Sequence, residues 1–267
     1  MTLTRIRATT TTKDGIKWYY EQEGSGPDVI LVPDGLGDCA VMDRPMSLIA
    51  ASGFRVTTVD MPGMSRSSAP LEACRKVTPR KLALQINNLL EHLDIDNATV
   101  WGCSSGALCA LGLCAYYPDR LRNVFMHEAP LQLLDMLKDL PQMDDRAIVD
   151  AMVPISRQMA GDPKAQEAWD QLPKEVHARI EKNFIVWAHG YISDLTFNLP
   201  LSDQDLHQRP IAWSVGASTP MAAFFNNVVT ATKASLPISL LPGGHFPYVT
   251  HPEEMARYIV EITRKYV

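Results

Sequence analysis

Short runs rich in β-branched residues recur along the chain, and the segments between them carry helical spacing. Val29-Ile30-Leu31-Val32, Val56-Thr57-Thr58-Val59, Ala98-Thr99-Val100-Trp101 and Val124-Phe125-Met126 are nearly unbroken apolar runs, as expected of strands covered on both faces. Residues 15–23 read as a further strand after an Asp14-Gly15 turn, and 211–215 and 238–241 as two more. Apolar residues at 82, 86, 89, 90 and 93 fall on one helix face behind a Thr78-Pro79 start. Helical stretches also follow at 105–117, 221–234 and 252–266. Strands alternating with helices fold as βαβ units, so the spacing predicts an α/β chain with a mostly parallel sheet and helices on both faces.

The alternation breaks between about 131 and 200. That stretch has helical segments punctuated by Pro141, Pro154, Gly161-Asp162-Pro163 and Pro173, and no strand signal. It reads as a helical cap inserted over the carboxyl edge of the sheet, where open α/β sheets place their sites. The expected organisation is therefore core 1–130, cap 131–200 and core 201–267, one unit that a chain of 267 residues easily fills.

Composition excludes several classes. A net charge of −5 offers no basic face for nucleic acid. The opening Met1-Thr2-Leu3-Thr4-Arg5-Ile6-Arg7 lacks a secretory apolar run, and the longest apolar stretch, 107–115, falls far short of the ~20 residues of a membrane span. Five cysteines, at 39, 74, 103, 109 and 114, form neither a disulfide framework nor a Cys-x-x-Cys metal motif. The expectation is a soluble, cytoplasmic protein with free thiols and no metal or cofactor.

The densest chemical signal is Trp101-Gly102-Cys103-Ser104-Ser105-Gly106, a G-x-S-x-G pattern between a β-branched strand and a small-residue helix. That strand–turn–helix context is a nucleophile elbow, with Ser104 as nucleophile. Of seven histidines, His245 has the context of a base: it follows strand 238–241 and Pro242-Gly243-Gly244, and leaves the sheet at the same edge as Ser104. Folds of this kind usually carry the acid after the strand matching 211–215, but no Asp or Glu occurs from 207 to 252. Glu128, ending strand 123–127 at the right edge, is the predicted acid, ahead of Asp194, Asp203 and Asp205. The Ser105 amide is one oxyanion donor, and Gly35 or Leu36, in Pro33-Asp34-Gly35-Leu36-Gly37, the other.

Six segments resemble the fungal zearalenone lactonases of the α/β-hydrolase fold. They are Trp18-Tyr19-Tyr20-Glu21-Gln22-Glu23-Gly24, Val32-Pro33-Asp34-Gly35-Leu36-Gly37, Asp60-Met61-Pro62-Gly63-Met64-Ser65-Arg66-Ser67, Trp101 to Gly106, Glu175-Val176-His177-Ala178-Arg179 and His245-Phe246-Pro247-Tyr248-Val249. The resemblance implies hydrolysis of the macrocyclic lactone of a resorcylic acid mycotoxin, a small apolar substrate, followed by loss of carbon dioxide from the opened acid. It places the triad on Ser104, Glu128 and His245 and the oxyanion amides on Gly35 and Ser105. It places substrate contacts on Trp187, Tyr191, Phe246 and Asp34, and it implies a homodimer. The chain departs from the family pattern at His189 and Ile192, which bears on preference between the ketone toxin and its alcohol forms. Methionines 136, 143, 152 and 159 in the cap, with Met126 at its edge, suit an adaptable apolar pocket. The alternatives are an esterase or carbon–carbon bond hydrolase on the same triad, and a ligand receptor with a vestigial one.

Overall fold

A computed structural model describes residues 4–267. Eight strands form one sheet: β1 (Arg5–Thr11), β2 (Lys17–Gly24), β3 (Asp28–Val32), β4 (Arg55–Val59), β5 (Ala98–Cys103), β6 (Leu121–His127), β7 (Ile211–Gly216) and β8 (Ile238–Leu241). Their order is β1-β2-β4-β3-β5-β6-β7-β8. The β1–β2 and β2–β4 pairs are antiparallel and all pairs from β3 to β8 are parallel. The mostly parallel sheet expected from the sequence is therefore present. β1 went unread because Arg5-Ile6-Arg7-Ala8-Thr9-Thr10-Thr11 has no apolar run. It is an edge strand, half exposed, and Arg5 ties it inward through Glu21 and Glu23.

Helices α1 (Asp43–Ala51), α2 (Pro79–His92) and α3 (Ser105–Tyr116) cross between the central strands. Thr78 caps α2, its hydroxyl accepting from Lys81 N–H at 3.2 Å. Residues 105–114 of α3 are all buried, and an all-round apolar helix of this kind belongs at the centre of the molecule. The chain then forms α4 (Asp145–Met159), α5 (Pro163–Asp170), α6 (Lys174–Gly190) and α7 (Asp203–Leu206). It returns to the sheet and ends with α8 (Met221–Lys233), α9 (Pro247–Thr250) and α10 (Pro252–Thr263). Among the described residues no strand falls between 131 and 200, and no helix is long and apolar enough to cross a membrane.

Polar side chains fasten α6 to the loops above the sheet. Arg179 pairs with the buried Asp38 at 2.5 Å, Asn183 donates to Leu36 O at 2.7 Å, and Ser65 N–H donates to Asn183 Oδ1 at 2.8 Å. These bonds fix the helix that carries Trp187 over the carboxyl edge. The register of the sheet then sets the site. Cys103 pairs with His127 across β5–β6, and His127 pairs with Ser214 across β6–β7. The next residues along, Ser104 and Glu128, therefore leave neighbouring strands side by side.

Candidate active site

Ser104 joins β5 to α3 at φ +51° and ψ −122°, a strained backbone for a residue with a Cβ. The flanking glycines permit it. A Cβ on Gly102 would lie 2.1 Å from Gly106 O, and one on Gly106 would lie 2.5 Å from Val32 O. The turn thus packs backbone on backbone and presents a half-buried serine at the carboxyl edge. Its N–H donates to His127 O at 3.0 Å, which locks the elbow to β6.

Glu128 has φ +46° at the end of β6. Its Oε2 accepts from His245 Nδ1 at 2.6 Å, and its Oε1 accepts from Gly216 N–H at 2.7 Å. The carboxylate thus reaches from β6 to the last residue of β7, ahead of the loop in which the chain supplies no acid of its own. Burial pushes this carboxyl up, but the His245 hydrogen bond and the His127 and His245 charges outweigh it and hold it at about 2. The ring of His245 stacks on Phe224 at 5.0 Å and meets the edge of Phe246 at 5.0 Å. Its backbone N–H donates to Met159 O at 2.9 Å, so the end of α4 steadies the loop. Among the described residues no hydrogen bond joins His245 to Ser104 Oγ; such contacts in unliganded hydrolases commonly tighten on substrate binding.

A cavity of about 50 Å³ lies beside this pair, bordered by Asp34, Gly35, Met152, Trp187, His245 and Phe246. Trp187 covers Gly35 so closely that a Cβ there would sit 3.0 Å from Nε1, and the buried indole N–H has no partner among the described residues. Leu36 N–H is engaged by Asp34 Oδ1 at 2.8 Å. Of the two candidate amides, Gly35 is the one whose N–H is in no hydrogen bond among the described residues. Ser105, first residue of α3, has an N–H with no intrahelical partner. Asp34 is 2% exposed and also accepts from the Tyr248 hydroxyl. Burial raises its carboxyl above the usual range against the pull of His245, Tyr248 and the Leu36 amide.

Of the expected substrate contacts, Asp34, Trp187 and Phe246 border the cavity, whereas Tyr191 does not. Its side chain is 1% exposed and its hydroxyl donates to Pro62 O at 3.0 Å, so Tyr191 anchors α6 to the core instead. Two features escaped sequence reading. A second, apolar cavity of about 140 Å³ lies beside His245, bordered by Leu134, Met136, Thr219, Pro220 and Phe224, with Ile155 and Met159 bordering both cavities. His127, the residue before Glu128, is fully buried; Nδ1 meets Ser214 Oγ at 3.0 Å and Nε2 meets Gly244 O at 3.3 Å. Burial lowers it to about 4 despite the Glu128 charge. Its place one residue before the acid, at the end of an almost wholly buried strand, was the available clue.

Comparison with known proteins agrees with this geometry. Residues 28–252 match the family model described as alpha/beta hydrolase fold. The chain is 52% identical over 264 residues to a zearalenone hydrolase of Cladophialophora bantiana, covering 98% of each chain. It is 51% identical over 266 residues to a zearalenone hydrolase of Bionectria ochroleuca, covering 98% of this chain and 100% of that one. Among solved structures, an enol-lactonase from Burkholderia xenovorans LB400 superposes with a TM-score of 0.77 at 16% identity, covering 96% and 100% of the two chains. A thermophilic esterase from Thermogutta terrifontis does so with a TM-score of 0.73 at 20% identity, covering 98% and 99%. These two likenesses speak for the fold alone. With the elbow, the mostly parallel sheet and two near-full-length relatives in agreement, the chain belongs to the α/β-hydrolase fold family and, within it, to the zearalenone hydrolases.

Proposed function

We propose that this protein opens the macrocyclic lactone of zearalenone and related resorcylic acid lactones, with Ser104, His245 and Glu128 as its catalytic triad. The observation that carries the mechanism is the buried Glu128–His245 hydrogen bond of 2.6 Å at the edge where Ser104 emerges. Glu128 fixes the proton of the imidazole on Nδ1, leaving Nε2 as the base. His245 takes the Ser104 proton as Oγ attacks the lactone carbonyl. The Gly35 and Ser105 amides hold the oxyanion, and the imidazolium protonates the departing ring oxygen. Because the ester is cyclic, the released alcohol stays tethered to the acyl-enzyme until water, activated by His245, frees the ring-opened hydroxy acid. The hydroxyls ortho and para to the new carboxyl favour its subsequent loss as carbon dioxide.

The unpartnered Trp187 Nε1 is the donor available to a polar group of the substrate. The two cavities, about 50 and 140 Å³, are small against the 300 Å³ or more of a typical ligand pocket. Binding therefore displaces the Ile155 and Met159 side chains that border both, and unbranched Met159 moves at low cost. Incubation of the purified protein with zearalenone, followed by mass spectrometry, tests the reading. A gain of one water and then a loss of carbon dioxide is expected, and an unchanged toxin overturns the substrate assignment.

A further inference from the structure

Beside the nucleophile lies a cluster whose combined chemistry the hydrolytic reading does not use. One ligating atom each of Asp34, Cys103 and His245 lies within 4.8 Å of the other two, and all three residues are buried. They come from three parts of the carboxyl edge: the loop after β3, the last residue of β5 and the loop after β8. We propose that these side chains form a capture site for a thiophilic divalent cation of the zinc or cadmium type, and that its occupancy removes the imidazole from the hydrolytic cycle.

The donor set is a carboxylate oxygen, a thiol sulfur and an imidazole nitrogen, a combination that suits borderline and soft cations. Tetrahedral zinc, with bonds of about 2.0–2.3 Å, sets its ligand atoms roughly 3.3–3.8 Å apart. The cluster therefore needs to close by about 1 Å, within the reach of side-chain rotation. The groups that orient the ligands are already in place. His245 Nδ1 is held by Glu128 at 2.6 Å, the arrangement that steadies ligating histidines in metal sites and leaves Nε2 for the metal. Asp34 is held by Leu36 N–H at 2.8 Å and by the Tyr248 hydroxyl. The cavity of about 50 Å³ bordered by Asp34 and His245 provides room for a water as fourth ligand.

Cys103 Sγ now donates to His245 O at 3.0 Å, and burial, with the Asp34 and Glu128 charges, keeps it a thiol. Binding breaks the S–H bond, forms a sulfur–metal bond and releases one proton to solvent, with no electron transferred. The resulting thiolate and the Asp34 carboxylate together balance the dication. Because the metal occupies the Nε2 lone pair that would accept the Ser104 proton, the cation acts as an inhibitor. That consequence rests on His245 being the base; the binding itself does not.

The test is a titration of chelator-treated, full-length protein with Cd²⁺ in the absence of substrate, followed by lactone-opening rates with added Zn²⁺. One equivalent of Cd²⁺ with thiolate-to-cadmium charge-transfer absorbance is expected. Cys103→Ser should lose that absorbance and weaken Zn²⁺ inhibition at least tenfold, measured against its own metal-free rate. Equal absorbance and inhibition in Cys103→Ser, or no absorbance in the unaltered protein, overturns the site. If the variant fails to fold, Co²⁺ added to the unaltered protein decides. Intense visible bands of a tetrahedral, sulfur-ligated ion support the site, and only the weak bands of an octahedral ion refute it. A metal-free protein that opens no lactone would count against the proposed function while the cadmium titration still stood.

Discussion

Replacing Glu128 by Gln keeps the shape of the side chain and removes only its charge and one acceptor. In the structure Oε1 accepts from Gly216 N–H at 2.7 Å and Oε2 from His245 Nδ1 at 2.6 Å. With its amide oxygen on Gly216, the introduced side chain presents an NH₂ group to Nδ1. That nitrogen must then be an acceptor, so the imidazole proton moves to Nε2, the atom required to accept the proton of Ser104. The loss of base function and of imidazolium stabilisation is expected to lower kcat about 10⁴-fold, equivalent to roughly 5.5 kcal/mol of barrier. Glu128 does not border the 50 Å³ cavity, so KM should change by less than about threefold. Initial rates of lactone opening, with circular dichroism melting as a control for folding, provide the assay. A well-folded Glu128→Gln retaining more than a tenth of the original kcat would refute the assignment of the acid.

Trp187→Phe removes the unpartnered indole N–H while keeping an aromatic wall, and should raise KM about two- to tenfold with kcat within threefold; steady-state kinetics showing an unchanged KM would contradict it. Stability should depend on pH through His127, whose folded value of about 4 lies below its unfolded value of about 6.5. The unfolded chain protonates first as pH falls, so this stabilisation is complete above about 6.5 and lost on descending to about 4, roughly 3 kcal/mol in all. Urea unfolding of His127→Asn should show a shallower decline between pH 7 and 4.5 than the unaltered protein, and parallel declines would exclude His127 as the cause. Arg179→Met leaves the buried Asp38 without its 2.5 Å partner, although Arg66, Ser65 and the Ala40 amide still contact it. A stability loss of about 1–3 kcal/mol is expected by denaturant titration, and no loss would show that the Arg179–Asp38 pair contributes nothing to holding α6.

Much of the architecture was legible because buried parallel strands are written as continuous β-branched runs and crossover helices as 3.6-residue spacing. Those two signals, with the Asp14-Gly15 turn before β2 and the elbow before α3, located β2 through β8 together with α2, α3, α8 and α10. β1 lacked both, since an edge strand paired on one side needs no apolar face. The positions of Ser104, Glu128 and His245 could be anticipated because each follows the end of a strand, and the absence of an acid after β7 directed attention to Glu128. Side-chain direction was less accessible. Tyr191, expected against substrate, instead ends on Pro62 O just past the last turn of α6, a partner that residue spacing does not encode. The structure separates the two candidates Gly35 and Leu36 through a hydrogen bond within the loop, from Leu36 N–H to Asp34, that glycine spacing does not encode. The second cavity beside His245 brings together residues from between 134 and 161, the loop after β7 and α8, which only the folded chain places in contact.

The most direct test of the account compares Ser104→Ala with the unaltered protein for both turnover and binding of the same macrolactone. Lactone opening should fall by at least about 10³-fold, because no nucleophile remains, while tryptophan fluorescence still reports saturable binding beside Trp187 with a Kd near the original KM. Retention of turnover by Ser104→Ala would contradict the mechanism at its first step.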